Sequence, residues 1–189
     1  MKLSSKKWRK TDVDSATKKY TIGALVANKS GVLTRISGLF SRRGYNIESL
    51  TVCATEDPDV SRMTIILIGD EYMLYQMIRQ MDKLEDVKKI GCANELDCVY
   101  RELLLAKVGA TAEVRSQITL INDVYKAKVV DLSIDTMVLE LTGDPEKLDA
   151  YLKVIEPFGI LEMQRTGVTV LARGRHTLKD RDCYGDHVN

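Results

Sequence analysis

The feature that most constrains this chain is a repeated order of hydrophobic periods. Residues 20–92 and residues 99–172 each read strand, helix, strand, strand, helix, strand, at an offset of roughly 80 residues. In the first copy the apolar run 20–27 is a strand. Val32, Leu33, Ile36, Leu39 and Phe40 then mark one buried helix face over residues 31–43, with Gly44 as its C-cap. A strand over 46–55, the turn Glu56-Asp57-Pro58-Asp59 and a strand over 61–69 make a hairpin. Asp70 caps a second helix, in which Met73, Leu74, Met77, Ile78, Met81 and Leu84 recur at helical spacing, and 86–92 is the last strand.

The second copy repeats the order with other residues. A strand over 99–108 leads to a helix over 111–125 that sets Val114, Ile118, Ile121 and Tyr125 on one face. Strands over 127–133 and 136–142 form a hairpin. Asp144, Pro145 and Glu146 start a helix, because proline fits the first turn and acids favour the positive end of the dipole. Leu148, Tyr151, Leu152 and Ile155 face a core, Phe158 and Gly159 end the helix, and the final strand, 160–172, is bent near Gly167. Right-handed crossovers put both helices of a copy on one face of a four-stranded antiparallel sheet. The expected class is therefore α+β, as two tandem ferredoxin-like βαββαβ sandwiches. The bare sheet face asks for a partner, and self-association is the expected answer.

Residues 1–19 carry Lys2, Lys6, Lys7, Arg9, Lys10, Lys18 and Lys19 against Asp12 and Asp14, which marks a solvated basic arm. Domains are expected over 20–95 and 96–174, with a polar tail over 175–189. Lys and Arg total 28 against 27 Asp and Glu, so no strong field attracts nucleic acid or an anionic membrane. No apolar run reaches the roughly 18 residues of a membrane span, and the N-terminus has no signal core. Cys53, Cys92, Cys98 and Cys183 form no CxxC pair, and the two histidines, His176 and His187, lie in the tail, so no metal site is expected. Cys53 reads as a small buried hydrophobe in a reducing cytoplasm.

Catalytic signatures are missing. GxSxG, the phosphate loop, HExxH and GxGxxG do not occur, and neither expected domain holds a histidine for a catalytic triad. The βαββαβ order is shared with RNA-binding modules, which stack bases on aromatic side chains of the central strands. Here those strands read YTIGALVA and SRMTIILI, with aliphatic faces apart from Tyr20, so RNA binding is not expected. What remains is binding chemistry at Asn28, Lys29, Ser30 and Gly31, where the loop opens a helix. The first N–H groups of that helix have no partner within it, and a glycine lets a carboxylate approach them.

The loop NKSGVL, the block SGLFSRRGYNIESLTV (residues 37–52) and the strand SRMTI resemble the regulatory small subunits of acetolactate synthase, also called acetohydroxyacid synthase. YRELLLAKV, KAKVVDLS, LTGDPEKLDA and RTGV extend the resemblance to residues 20–174. It implies an ACT domain followed by an ACT-like domain, in a homodimer that binds the thiamine-diphosphate-dependent large catalytic subunit. Such a subunit has no catalytic site or cofactor of its own. It activates its partner and confers feedback inhibition by branched-chain amino acids, valine above all, in the cytoplasm. Gly69-Asp70 and Gly143-Asp144 lack the downstream asparagine pair of a thiamine-diphosphate site, in keeping with this.

Carried onto this sequence, the family's effector pocket lies between the ACT domains of two chains. One chain brings Asn28, Ser30, Gly31, Val32 and Leu33, the other Asn46 and Ile47. Backbone N–H groups at Gly31 to Leu33 suit the carboxylate, amide oxygens of Asn28 or Asn46 the ammonium, and aliphatic neighbours a branched side chain. Taken singly, Asn28 also fits a helix cap and Asn46 a strand start. The other function in view is a free-standing ACT-type amino-acid-binding regulator, separated from the first by co-purification with a large subunit.

Overall fold

A computed structural model describes residues 17–93 and 97–179. The expected basic arm lies outside the described residues up to 16, and the tail does so from 180. Among the described residues, 17–48, 52–93 and 178–179 form one compact unit, and 49–51 and 97–177 form another. No helix among them is long and apolar enough to cross a membrane.

The first copy of the repeat runs β1 (Lys18–Ala27), α1 (Val32–Ser41), β2 (Ser49–Ala54), β3 (Val60–Gly69), α2 (Glu71–Met81) and β4 (Val87–Cys92). Its sheet has the order β2-β3-β1-β4. β1 and β3 are antiparallel without a slip from Lys18↔Gly69 to Ala27↔Val60. On one face Ile22, Ala24, Met63, Ile65 and Leu67 are buried, as are Val32, Ile36, Leu39 and Phe40 of α1 and Met73, Leu74, Met77 and Met81 of α2. On the other face Leu25 and Val60 are also buried, and they cluster with Leu178. At this spot the face expected to await a partner is covered by the chain's own Leu178, which is therefore more than part of a polar tail.

The second unit repeats the plan with β5 (Cys98–Gly109), α3 (Arg115–Tyr125), β6 (Lys128–Leu132), β7 (Thr136–Gly143), α4 (Pro145–Ile155), β8 (Ile160–Arg165) and β9 (Thr169–Ala172). Its sheet has the order β6-β7-β5-β8, with β9 on the first residues of β5. The bend expected near Gly167 is the break between β8 and β9, where Gly167 has φ +77°. Leu104, Ala106 and Val108 of β5 and Met137, Leu139 and Leu141 of β7 pack against Ile118 of α3 and Leu148, Tyr151 and Ile155 of α4. Glu102 is buried there because Arg165 forks it, with Nε 2.9 Å and Nη2 2.6 Å from its two oxygens, while Nη1 reaches Asp149 at 2.5 Å. A buried carboxylate needs such a partner.

Local chemistry sets the helix ends. Asp70 accepts from Met73 N at 2.7 Å, and Asp144 from Lys147 N at 2.8 Å, both as expected of N-caps. Gly44, at φ +69°, closes α1, with Tyr45 N donating to Phe40 O at 3.1 Å and Gly44 N to Ser41 O at 3.0 Å. Five expectations need correction. Leu33 is 47% exposed rather than on the buried face, because it lies about 100° round the helix from Val32. Cys53 is exposed, because β2 is an edge strand. Residues 46–48 precede β2 instead of belonging to it, and Lys18 and Lys19 belong to β1 instead of the arm. α3 begins at Arg115 and not at 111, after a turn in which Val114 N and Arg115 N both donate to Thr111 O.

Tyr151 gives the second core a pH signature. It is fully buried, its hydroxyl donates to Asn122 Oδ1 at 2.6 Å, and burial pushes its pKa up to about 12. In the unfolded chain the phenol ionises near 10. Between those values the native state keeps a proton that the unfolded state has lost. The contribution is therefore complete below pH ~10 and fades as pH rises towards 12. Urea unfolding at stepped pH should show stability falling over that window, with a shallower fall in Tyr151→Phe. An equal slope in the variant would contradict this assignment.

Candidate functional site

The candidate site begins where β1 ends. Asn28 N donates to Asp59 O at 2.8 Å, and the Asn28 side-chain Nδ2 donates to Pro58 O at 2.8 Å. Both acceptors lie in the turn between β2 and β3. Asn28 therefore does not cap α1, whose N-cap is Gly31 with no side-chain cap bond at all. The chain turns on Gly31 at φ +84°, a conformation that side chains resist, and Arg35 N donates back to Gly31 O at 3.0 Å.

This turn leaves donors bare. Val32 N reaches Lys29 O only at 3.5 Å, and no bond from Ser30, Gly31, Leu33 or Thr34 N–H is made among the described residues. With no acidic residue in the first turn of α1, the positive end of its dipole has no anion of its own. Ser30 and Gly31 are exposed, Val32 is buried in the core, and Leu33 presents apolar surface beside them. One neighbour escaped the sequence reading. The guanidinium of Arg35 lies 3.3 Å from where a Cβ on Gly31 would stand, and its Nε is 2.6 Å from Asp86 Oδ2. The i, i+4 spacing on α1 is the signal that could have found it.

Asn46 and Ile47 lie elsewhere. They sit beyond Gly44 in the segment leading to β2, where Glu48 N is fixed to Ile66 O at 2.9 Å; Asn46 is exposed and Ile47 half-buried. α1 has 10 residues, so its two ends are about 15 Å apart. Asn28 to Leu33 stand at one end and Asn46 with Ile47 at the other. A single chain does not bring the two groups together around a small amino acid.

Comparison with known proteins assigns the family. Residues 22–89 match an ACT domain of the acetohydroxyacid synthase small-subunit type, and residues 101–174 match the small subunit of acetolactate synthase. The acetolactate synthase small subunit of Mycolicibacterium smegmatis is 47% identical over 162 residues, covering 86% of this chain and 95% of that one. The chain belongs to the acetolactate synthase small-subunit family. A probable acetolactate synthase small subunit of Methanothermobacter thermautotrophicus is 45% identical over 160 residues, covering 84% of this chain and 95% of that one. The crystal structure of the small subunit from Thermotoga maritima is similar at a TM-score of 0.78 and 32% identity, over 84% of this chain and 99% of that one. Membership in this family identifies a regulatory small subunit, with no catalytic site of its own.

The role of Asn28 can be tested apart from any ligand. Asn28→Ala should speed amide exchange at Asp57, Asp59 and Val60, in the turn that Asn28 holds, while Arg35 and Ile36 in α1 keep their protection. Protection lost first at Arg35 and Ile36 would mean that Asn28 serves as a helix cap.

Proposed function

We propose that this chain activates a large catalytic subunit of acetolactate synthase and places it under feedback inhibition by a branched-chain amino acid, valine before leucine or isoleucine. The setting is the synthesis of these three amino acids in the cytoplasm. Relatives of this chain are named as small subunits of the synthase, and a small subunit requires a large one.

In this reading residues 20–95 are the effector-binding ACT domain and 96–174 the ACT-like domain. The observation that carries it is the pair of half-sites at opposite ends of α1. Bare N–H groups at Gly31 and Leu33 suit a carboxylate, and Ser30 adds a hydroxyl. The Asn28 side chain spends its N–H on Pro58 O, which leaves its Oδ1 to accept from an ammonium. Leu33 offers apolar surface for a branched side chain. Asn46 and Ile47 would come from a second chain, so the pocket and the homodimer are one proposal. Valine would then favour one arrangement of the ACT domains, and a coupling of about 1 to 3 kcal/mol would change the activity of the large subunit several-fold to a hundredfold.

Two substitutions separate charge from backbone strain, since aspartate and asparagine both tolerate a left-handed φ. In a complex reconstituted with the large subunit, Gly31→Asp should raise the valine concentration for half inhibition by more than about tenfold and leave activation intact. Gly31→Asn should stay within about threefold of the parent, because it adds no charge where the carboxylate sits. Full valine inhibition of the Gly31→Asp complex would overturn the site. A parent chain that leaves the synthase unchanged would overturn the regulatory role.

A further inference from the structure

The chain after β9 returns to the first unit, and its last described residues are held there. Leu178 is 4% exposed and packs with Leu25 and Val60, with Cys92 and Ala93 at the margin. Lys179 Nζ lies 2.6 Å from Glu56 Oε1, and this ammonium keeps the Glu56 carboxyl below its usual pKa. These contacts fall on either side of the β1–α1 loop. Leu25 is near the end of β1, just before Asn28, and Val60 is the first residue of β3, just after the turn formed by 56–59.

That turn is cross-linked within itself. Thr55 N and Thr55 Oγ1 both donate to Val60 O, at 3.2 and 2.9 Å, and Val60 N donates to Asp57 O at 3.0 Å. Asp57 N donates to Thr55 Oγ1 at 3.2 Å, and Asp59 N to Asp57 Oδ1 at 3.0 Å. A segment bonded this densely moves as one piece. Whatever holds Glu56 and Val60 therefore also holds Pro58 O and Asp59 O, the two acceptors that fix Asn28.

We propose that Leu178 and Lys179 are positioning residues for the effector site, bracing the 56–59 turn so that it keeps the β1–α1 loop in its binding arrangement. The ligand named rests on the function proposed above; the brace rests on the contacts just given. The leucine carries most of the effect, since it is buried, whereas Glu56 and Lys179 form an exposed pair that water and salt weaken. Leu25 and Val60 lie on the sheet face opposite the core, so the brace reaches the loop from below and leaves the bare N–H groups free.

The test uses the full chain, alone and with the large subunit. Leu178→Ser should speed amide exchange at Asn28 and Val60 while Ile22 and Ile65 stay protected. It should also weaken valine binding about tenfold, the loss expected if the braced arrangement falls to about a tenth of the population. Leu178→Met, which keeps the volume, should restore both, and Lys179→Ala should change binding less than about threefold. Unchanged exchange at Asn28 in Leu178→Ser, or valine binding equal to that of the parent, would overturn the brace. Should Leu178→Ser open the whole unit, the comparison passes to Leu178→Ala, judged by the same two readouts. A parent chain that binds no valine would overturn the ligand assignment, and amide exchange alone would then decide the brace.

Discussion

The first unit depends on the pairing of β1 with β3, and the geometry of the candidate site follows from its register. Both strands carry apolar residues on both faces, so a slip of one residue would exchange the sets of side chains that the helices and Leu178 cover. The pair runs unbroken to Ala27↔Val60. Where β1 ends, β3 therefore begins, and the loop after one strand lies against the turn before the other. The bonds from Asn28 to Pro58 and Asp59 are the result. The second unit uses the same device between β5 and β7, from Glu102↔Gly143 to Gly109↔Thr136. There the buried Glu102, forked by Arg165, also ties β5 to β8.

A loop held in this way can keep a left-handed glycine and an uncapped helix end. The bare N–H groups after Gly31 would be a cost in a helix that served only the core. In a sensor they are a ready place for an anion. α1 separates this place from Asn46 and Ile47 by its whole length, which makes the second chain a component of the proposed pocket rather than a neighbour. Under the proposed function, control by the amino acid would be control over how two ACT domains meet. The C-terminal brace adds a second input to the same loop.

Much of this was legible in the sequence where one residue decides the local structure. Asp70, Asp144 with Pro145, and Gly44 each mark a helix end through their own backbone or side-chain chemistry, and each stands at the end it marked. The repeat of pattern gave the two sheets and their helices for the same reason, since a period of 2 or 3.6 is a local property. Errors arose where the outcome depends on distant neighbours. Leu33 and Cys53 have the chemistry of core residues, yet one lies at the flank of a helix stripe and the other on an edge strand. Asn28 sits where a cap would, yet its partner is a turn thirty positions away in the chain. Leu178, alone among polar residues, shows no period at all, and only the fold reveals its contacts with Leu25 and Val60.

The central claim, a pocket that two chains complete, is tested most directly by complementation. Chains carrying Gly31→Asp are mixed with chains carrying Asn46→Ala, the mixed dimers are isolated with two affinity tags, and valine binding is titrated by calorimetry. If each pocket takes Gly31 from one chain and Asn46 from the other, one pocket of the mixed dimer carries both defects and the other carries neither. The mixed dimer should then bind valine at half the parent's stoichiometry with the parent's affinity, although neither variant binds well as a homodimer. A mixed dimer as defective as the two homodimers would contradict the account and place the site within a single chain.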